Sequence, residues 1–319
     1  MLKYLTILLD DTSVSFCHAE NPYTSRKLIP VDTLKKGIIF AMKENLTIQF
    51  VYPGYDLPEE YVSLINTIDH IDIETARHTL NSDIVVIDDI YQLNVYTRKA
   101  NLDSIYLIRC SYEELLASEA AICEAIKTLF RINVIVKNVT GFSDADIDRY
   151  QHFLNNISNV VIDELNNGRN PQINLITDKL YLDTQNHCKA GVENITLAPN
   201  GCFYICPAFY YDENCNKNHT QSVGNIDTGL NIKNQQLYKL ECAPICRICD
   251  AYQCRRCVWL NKHLTREVNT PSRQQCVMAH LERNTSRMVK DKIISPIFIE
   301  DIPEIDYLDP FDFITNKNN

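Results

Sequence analysis

Hydrophobic and polar positions in the first 180 residues fall into two alternating textures. One is the short, continuously apolar run: "YLTILL" from Tyr4, "TIQFVY" from Thr47, "DIVVID" from Asp83, "SIYLIR" from Ser104, "INVIVK" from Ile132 and "QINLIT" from Gln172. Runs of this length, rich in β-branched residues, predict strands buried on both faces. The other texture has apolar positions three and four apart. It marks helices in "VDTLKKGIIFAMKEN" from Val31, "LPEEYVSLINTI" from Leu57, "SYEELLASEAAICEAIKTLF" from Ser111 and "SDADIDRYQHFLNNI" from Ser143. Asp32, Ser111 with Glu114 three residues on, and Ser143 before an Asp-rich turn are the expected caps, and Pro58 suits a first helical turn. Strand–helix–strand alternation predicts an α/β fold with a mainly parallel sheet, open or partly closed as a barrel. About six units are countable, fewer than the eight of a complete barrel.

After Leu182 the periodicity fades, and Gly, Asn, Pro and Cys take over. "APNGCFYIC" reads as a hairpin turning at Pro199-Asn200-Gly201. So loop-rich a stretch needs a crosslink or a metal to fix its shape. The domains expected are therefore an α/β partial-barrel domain over 1–182 and a cysteine-rich domain over 183–295. An acidic tail over 296–319 either docks on another surface or stays mobile.

Composition narrows the function. Hydrophobic residues at 45% and charged ones at 23% belong to an ordinary folded protein. A net charge of −10 argues against a general nucleic-acid binder. No run reaches the ~18 apolar residues of a membrane span. "MLKYLTILLDD" has too short an apolar core for a signal peptide and reads as a first strand. The expected location is the cytoplasm.

Of 13 cysteines, only Cys17, Cys110 and Cys123 precede residue 188; the other ten lie between Cys188 and Cys276. In a reducing compartment such clustering points to metal before disulfides, and the early three read as core residues. Four of the ten fall in "CRICDAYQCRRC", residues 246–257. A C-x-x-C turn aims two sulfurs at one point while free backbone N–H groups face them, and a bound cation lowers the thiol pKa enough to supply thiolate. Arg247, Arg255 and Arg256 are placed to offset the negative charge of four thiolates, whichever metal they hold. Only "DAYQ" separates the two C-x-x-C pairs, against the fifteen to twenty residues usual in zinc ribbons. Two neighbouring sites completed by distant cysteines would relieve the crowding. Zinc remains the alternative to iron.

In "CKAGVENITLAPNGCFYIC", twelve residues part Cys188 from the turn glycine Gly201, and four more precede Cys206. A "GNI" segment follows at Gly224–Ile226, then Cys246, Cys249, Cys254 and Cys257, and last Cys276. This order resembles the SPASM domain of radical S-adenosylmethionine enzymes that mature peptides and proteins. Two shortened intervals, and Arg255–Arg256 in place of glycines, depart from its pattern. The resemblance implies two auxiliary [4Fe–4S] clusters, one on Cys246, Cys249, Cys254 and Cys276. Cys188, Cys206 and Cys257 would contribute to the other, with Cys202 as a substitute fourth ligand or one iron left open.

Radical chemistry needs a further C-x-x-x-C-x-x-C triad near the first strand, and that stretch has Cys17 alone. The glycine-rich segment that holds the cofactor's amino group is missing as well. The chain is therefore not expected to bind or cleave S-adenosylmethionine. A barrel-like front without the triad and a SPASM-like rear are similar to the CXXX-repeat peptide maturase family. That likeness implies two partners, a cysteine-repeat precursor peptide and a true radical enzyme. The alternatives are a zinc-stabilised peptide-binding scaffold without redox chemistry, and a standalone enzyme of another type.

Other candidates read as structural. Asp88–Asp89 end a strand and are expected to cap the next turn, and His18 reads as a loop residue. His187 beside Cys188 is a possible imidazole ligand. His263 and His280, on helical stretches near the late cysteines, read as surface. The basic stretch from Arg247 to Lys292 would either dock an acidic leader peptide or balance cluster charge. No P-loop, dinucleotide fingerprint, serine elbow or H-E-x-x-H motif occurs.

Overall fold

A computed structural model describes residues 2–181, 188–215, 221–252, 254 and 256–294. In chain order the elements are β1 (Tyr4–Leu8), α1 (Val31–Glu44), β2 (Thr47–Val51), α2 (Glu59–Ile65), β3 (His70–Thr75), β4 (Ile84–Ile87), α3 (Leu93–Thr97) and β5 (Ile105–Cys110). Then come α4 (Tyr112–Ala117), α5 (Glu119–Thr128), β6 (Arg131–Val136), α6 (Ile147–Asn166), β7 (Gln172–Ile173) and α7 (Asp178–Tyr181). The late elements are β8 (Asn194–Leu197), β9 (Phe203–Tyr204), α8 (Pro207–Cys215), β10 (Gly224–Asn225), β11 (Gly229–Leu230), α9 (Val258–Thr265) and α10 (Arg273–Lys292). Pairing among β1 to β9 is mostly parallel, so the fold is α/β as the alternation predicts.

The chain divides into two compact units, one made of residues 1–87 and 189–242, the other of 88–188 and 243–319. In the first unit the strand order is β4-β3-β2-β1-β8-β9, with only the β8–β9 hairpin antiparallel. Gly201 turns that hairpin at φ +78°, a backbone state glycine adopts without steric cost. β1 lies between β2 and β8, and its Leu5 and Ile7 join Leu34 and Ile38 of α1, Ile48 and Phe50 of β2 and Leu197 of β8 in one core. α1 packs closely on this sheet at Gly37, where a Cβ would come within 2.7 Å of Leu197 Cδ2 and make that side chain shift.

In the second unit β5, β6 and β7 run parallel, connected through α4–α5 and then α6. α6 turns Tyr150, Phe153, Leu154, Ile157, Val161 and Leu165 inward, a stripe of three- and four-residue steps. Among the described residues no helix is long and apolar enough to cross a membrane.

Several expectations are corrected. β3, which no apolar run announced, alternates His70, Asp72 and Glu74 with Ile71 and Ile73, yet pairs with both β2 and β4. The stretch 111–130 is two helices, broken where Ser118 leaves helical geometry at ψ 21°. Asp32 is not a cap: α1 starts after Pro30, and no side chain closes its first turn. Pro58 is the residue before α2 rather than within it. Strand β7 stops after two residues because Thr177 Oγ1 accepts from the Ile173 N–H and donates to its carbonyl, turning the chain. The box Ser111–Glu114 forms as expected, and Ser143 leads a 3-10 turn before α6, its N–H and hydroxyl both donating to Asp146. The acidic tail lies outside the described residues.

Candidate metal centre

The cysteine loop descends through two single-turn 3-10 segments, Leu240–Cys242 and Cys246–Ile248, and runs by way of Cys249 and Cys254 into α9. Its anchor is Asp250. That carboxylate accepts from Arg283 Nη1 at 2.6 Å and from Arg287 Nη2, two arginines one turn apart on the same face of α10. The clamp sets the neighbouring Cys249 over the helix, with its Sγ 3.6 Å from Nε2 of His280. His280 is only 3% exposed, contrary to the surface position expected for it.

α10 itself is held from below. Glu282 accepts from the Tyr150 hydroxyl at 2.7 Å and from Lys179 Nζ at 3.0 Å, while Ser286 Oγ donates to the Ile176 carbonyl at 2.9 Å. A helix of largely polar sequence is thereby buried with Glu282 and Ser286 hydrogen-bonded.

Backbone amides face the sulfurs as the C-x-x-C turn predicts. Ala251 N–H donates to Cys249 Sγ at 3.4 Å, and Arg256 N–H donates to Cys254 Sγ at 3.3 Å. Burial pushes the Cys246 thiol up to about 11; Cys249 adds to that push, and the guanidinium of Arg256, 2% exposed, pulls against it. A thiol so held is neutral at physiological pH, and a bound cation would convert it to a ligand. N–H donors on the sulfurs, a buried guanidinium and an imidazole at hydrogen-bond distance are the surroundings that stabilise thiolate ligands. In kind, these donors fit a cysteine-ligated centre. Among the described residues, no three Cys, His, Asp or Glu side chains converge at ligating distance.

The remaining sequence candidates are spread through the fold. Cys246, Cys249, Cys254, Cys257 and Cys276 all belong to the second unit, and Cys276 lies one turn before His280 on α10. Cys188 is exposed and also belongs to the second unit; Cys202 and Cys206 are half-buried in the first, at the hairpin and just before α8. Cys242 is exposed. Tyr238 stands near Cys206, its hydroxyl pushed up by burial first and by Cys206 second. His187, Arg255 and the side chain of Cys215 lie outside the described residues. Cys110 is buried in β5, Cys123 is half-buried on α5 with its thiol raised by burial, and His18 is a half-buried loop residue. Asp89 caps the turn that follows it, accepting from Tyr91 N–H, and Asp88 pairs with Arg109 at 2.5 Å.

The β1–α1 loop has Cys17 as its one cysteine, with Sγ 3.6 Å from Ser15 Oγ. Hydroxyls and carboxylates fill the rest. Ser13 Oγ donates to the Val51 carbonyl, Thr12 Oγ1 donates to Asp10, and the Tyr210 hydroxyl donates to Asp11 at 2.5 Å. Burial raises the Asp11 carboxyl, and that Tyr210 bond opposes the rise.

Sequence reasoning missed His280, Asp250 and Arg283. The signal that could have found them is the helical spacing of Cys276, His280, Arg283 and Arg287, which places all four on one face of α10.

No family model and no curated protein matches the sequence. The fold is similar to that of anSMEcpe, an anaerobic sulfatase-maturating radical S-adenosylmethionine enzyme. Its native form with bound AdoMet and Cp18Cys peptide aligns with a TM-score of 0.59 at 12% identity, over 92% of this chain and 99% of that one. The hexahistidine-tagged form with AdoMet aligns at 0.59 and 11% identity, over 91% and 98%. A native form with AdoMet alone aligns at 0.56 and 11%, over 90% and 99%.

Proposed function

We propose that this chain is an iron–sulfur protein that takes part in maturing a ribosomally made, cysteine-repeat peptide, working beside a true radical enzyme. The observation that carries the reading is a fold shared over nine-tenths of the chain with a radical maturase, combined with a β1–α1 loop holding one cysteine where the chemistry needs three. That neighbour is described with AdoMet and a peptide bound. Its peptide supports a peptide substrate here. Loss of the triad supports giving the radical step to another protein.

In this reading Cys246, Cys249, Cys254 and Cys276 hold one [4Fe–4S] cluster. When bound, the cluster supplies electron transfer or an iron that a substrate thiolate can reach. The chain's own residues do the rest. Asp250, clamped by Arg283 and Arg287, fixes the loop; Ala251 and Arg256 direct N–H groups at sulfur; Arg256 offsets negative charge beside Cys246.

Anaerobic purification with metal analysis tests the reading. A brown protein holding about four or eight irons per chain supports it. A colourless protein with stoichiometric zinc, or with no metal, refutes it. Incubation with the precursor peptide should give product only when the radical enzyme is added; product from this chain and peptide alone would refute the accessory role.

A further inference from the structure

We propose that His280 is a positioning residue of the cysteine centre, its Nε2–H donating to the sulfur of Cys249 and holding that thiolate toward the cluster. The inference rests on the iron–sulfur reading above and adds a residue that no cysteine motif contains. Three observations carry it.

The first is the geometry. Nε2 and Sγ are 3.6 Å apart, the separation of an N–H···S bond, and His280 is buried. The second is convergence. The same sulfur accepts from Ala251 N–H at 3.4 Å, so two donors are aimed at one atom. The third is how the pair is held. Arg283, one turn beyond His280 on α10, grips Asp250, the residue after Cys249. Imidazole and sulfur therefore reach each other across a joint pinned close beside both.

Two other arrangements match the distance; in one, the Cys249 thiol donates to Nε2 and no cluster is held. In the other, ligands at about 2.0 Å (nitrogen) and 2.3 Å (sulfur) from a single tetrahedral ion also stand about 3.5 Å apart. In that case His280 would be a ligand, and the iron would see its nitrogen directly.

The test uses the full chain purified without oxygen, as wild type, His280→Phe and His280→Gln. Donors to cluster sulfurs stabilise the reduced, more negative state. All three proteins should hold equal iron per chain. His280→Phe should show a lower midpoint potential, and His280→Gln, whose amide reaches the same point, should recover it. Wild type labelled with 15N-histidine should show no directly coordinated nitrogen by pulsed electron paramagnetic resonance. Equal potentials in His280→Phe and wild type, or a coordinated 15N signal, overturn the proposal while leaving the iron–sulfur reading intact. Wild type that holds no iron overturns both. Should His280→Phe fail to load, His280→Met takes its place and is read in the same way.

Discussion

Lys179→Met removes the ammonium from one of the most deeply buried ion pairs in the second unit. Lys179 and Glu282 have 3% and 1% of their side-chain surface exposed and meet at 3.0 Å. After the substitution, the Glu282 carboxylate keeps the Tyr150 hydroxyl as a donor but loses the Lys179 ammonium. Removing one partner of a buried pair costs about 3–5 kcal/mol, because the charge left behind is uncompensated. Lys179 also donates to the Asn174 carbonyl at 3.4 Å, a long bond that adds little. With a urea slope of about 3 kcal/mol/M, the midpoint should fall by roughly 1–1.7 M. Trp259, the single tryptophan, lies on α9 in the second unit, so its fluorescence follows the unit concerned. The double variant Lys179→Met/Glu282→Gln removes both charges and leaves an amide oxygen for Tyr150 to donate to. It should regain at least about 2 kcal/mol of the loss. A single variant that loses less than about 1 kcal/mol, or a double variant no better than the single, would refute the reasoning.

Three further outcomes are expected. Arg283→Met frees one side of Asp250 and so loosens Cys249; iron bound per chain should fall at least two-fold while far-ultraviolet circular dichroism stays unchanged, and full loading would sink the idea. Ser111→Ala opens the capping box at α4 and should cost about 1 kcal/mol in urea, with Ser111→Gly costing less. In the metal-free protein, Cys246 has its thiol raised from 9.0 to about 11, so between these values the unfolded chain releases a proton that the folded chain retains. Folding stability should then be fully present below pH 9 and fall as pH climbs toward about 11. Cys246→Ala should flatten that slope, and an unchanged slope would show that another group causes it.

The strands at Tyr4, Thr47, Ile84, Ile105 and Arg131 were legible because continuous apolar runs signal burial on both faces. β3 was not, because His70, Asp72 and Glu74 interrupt its apolar positions; Asp72 N–H bonds to Asp83, and His70 Nδ1 pairs with the Ile68 carbonyl. α10 misled for the opposite reason. A helix containing Gln275, His280, Glu282, Arg283 and Ser286 reads as solvent-facing. Its burial depends on Tyr150, Lys179, Ile176 and Asp250, partners 33 to 132 residues away along the chain. The crowding of the cysteines points to a candidate centre late in the chain. Which sulfur meets which neighbour follows from the path of the loop over α10, and no local spacing encodes that path.

The first unit is assembled from both ends of a long excursion. β1 is flanked by β2 and by β8, so Ile195, Leu197 and Phe203 complete a core begun at Leu5. During synthesis, β1 must wait with one edge bare while more than a hundred residues of the other unit leave the ribosome. A fragment stopping near residue 180 keeps that edge unpaired, an invitation to aggregation. Holding the nascent chain soluble until the hairpin at Gly201 arrives is therefore a demand that this order of strands places on the cell.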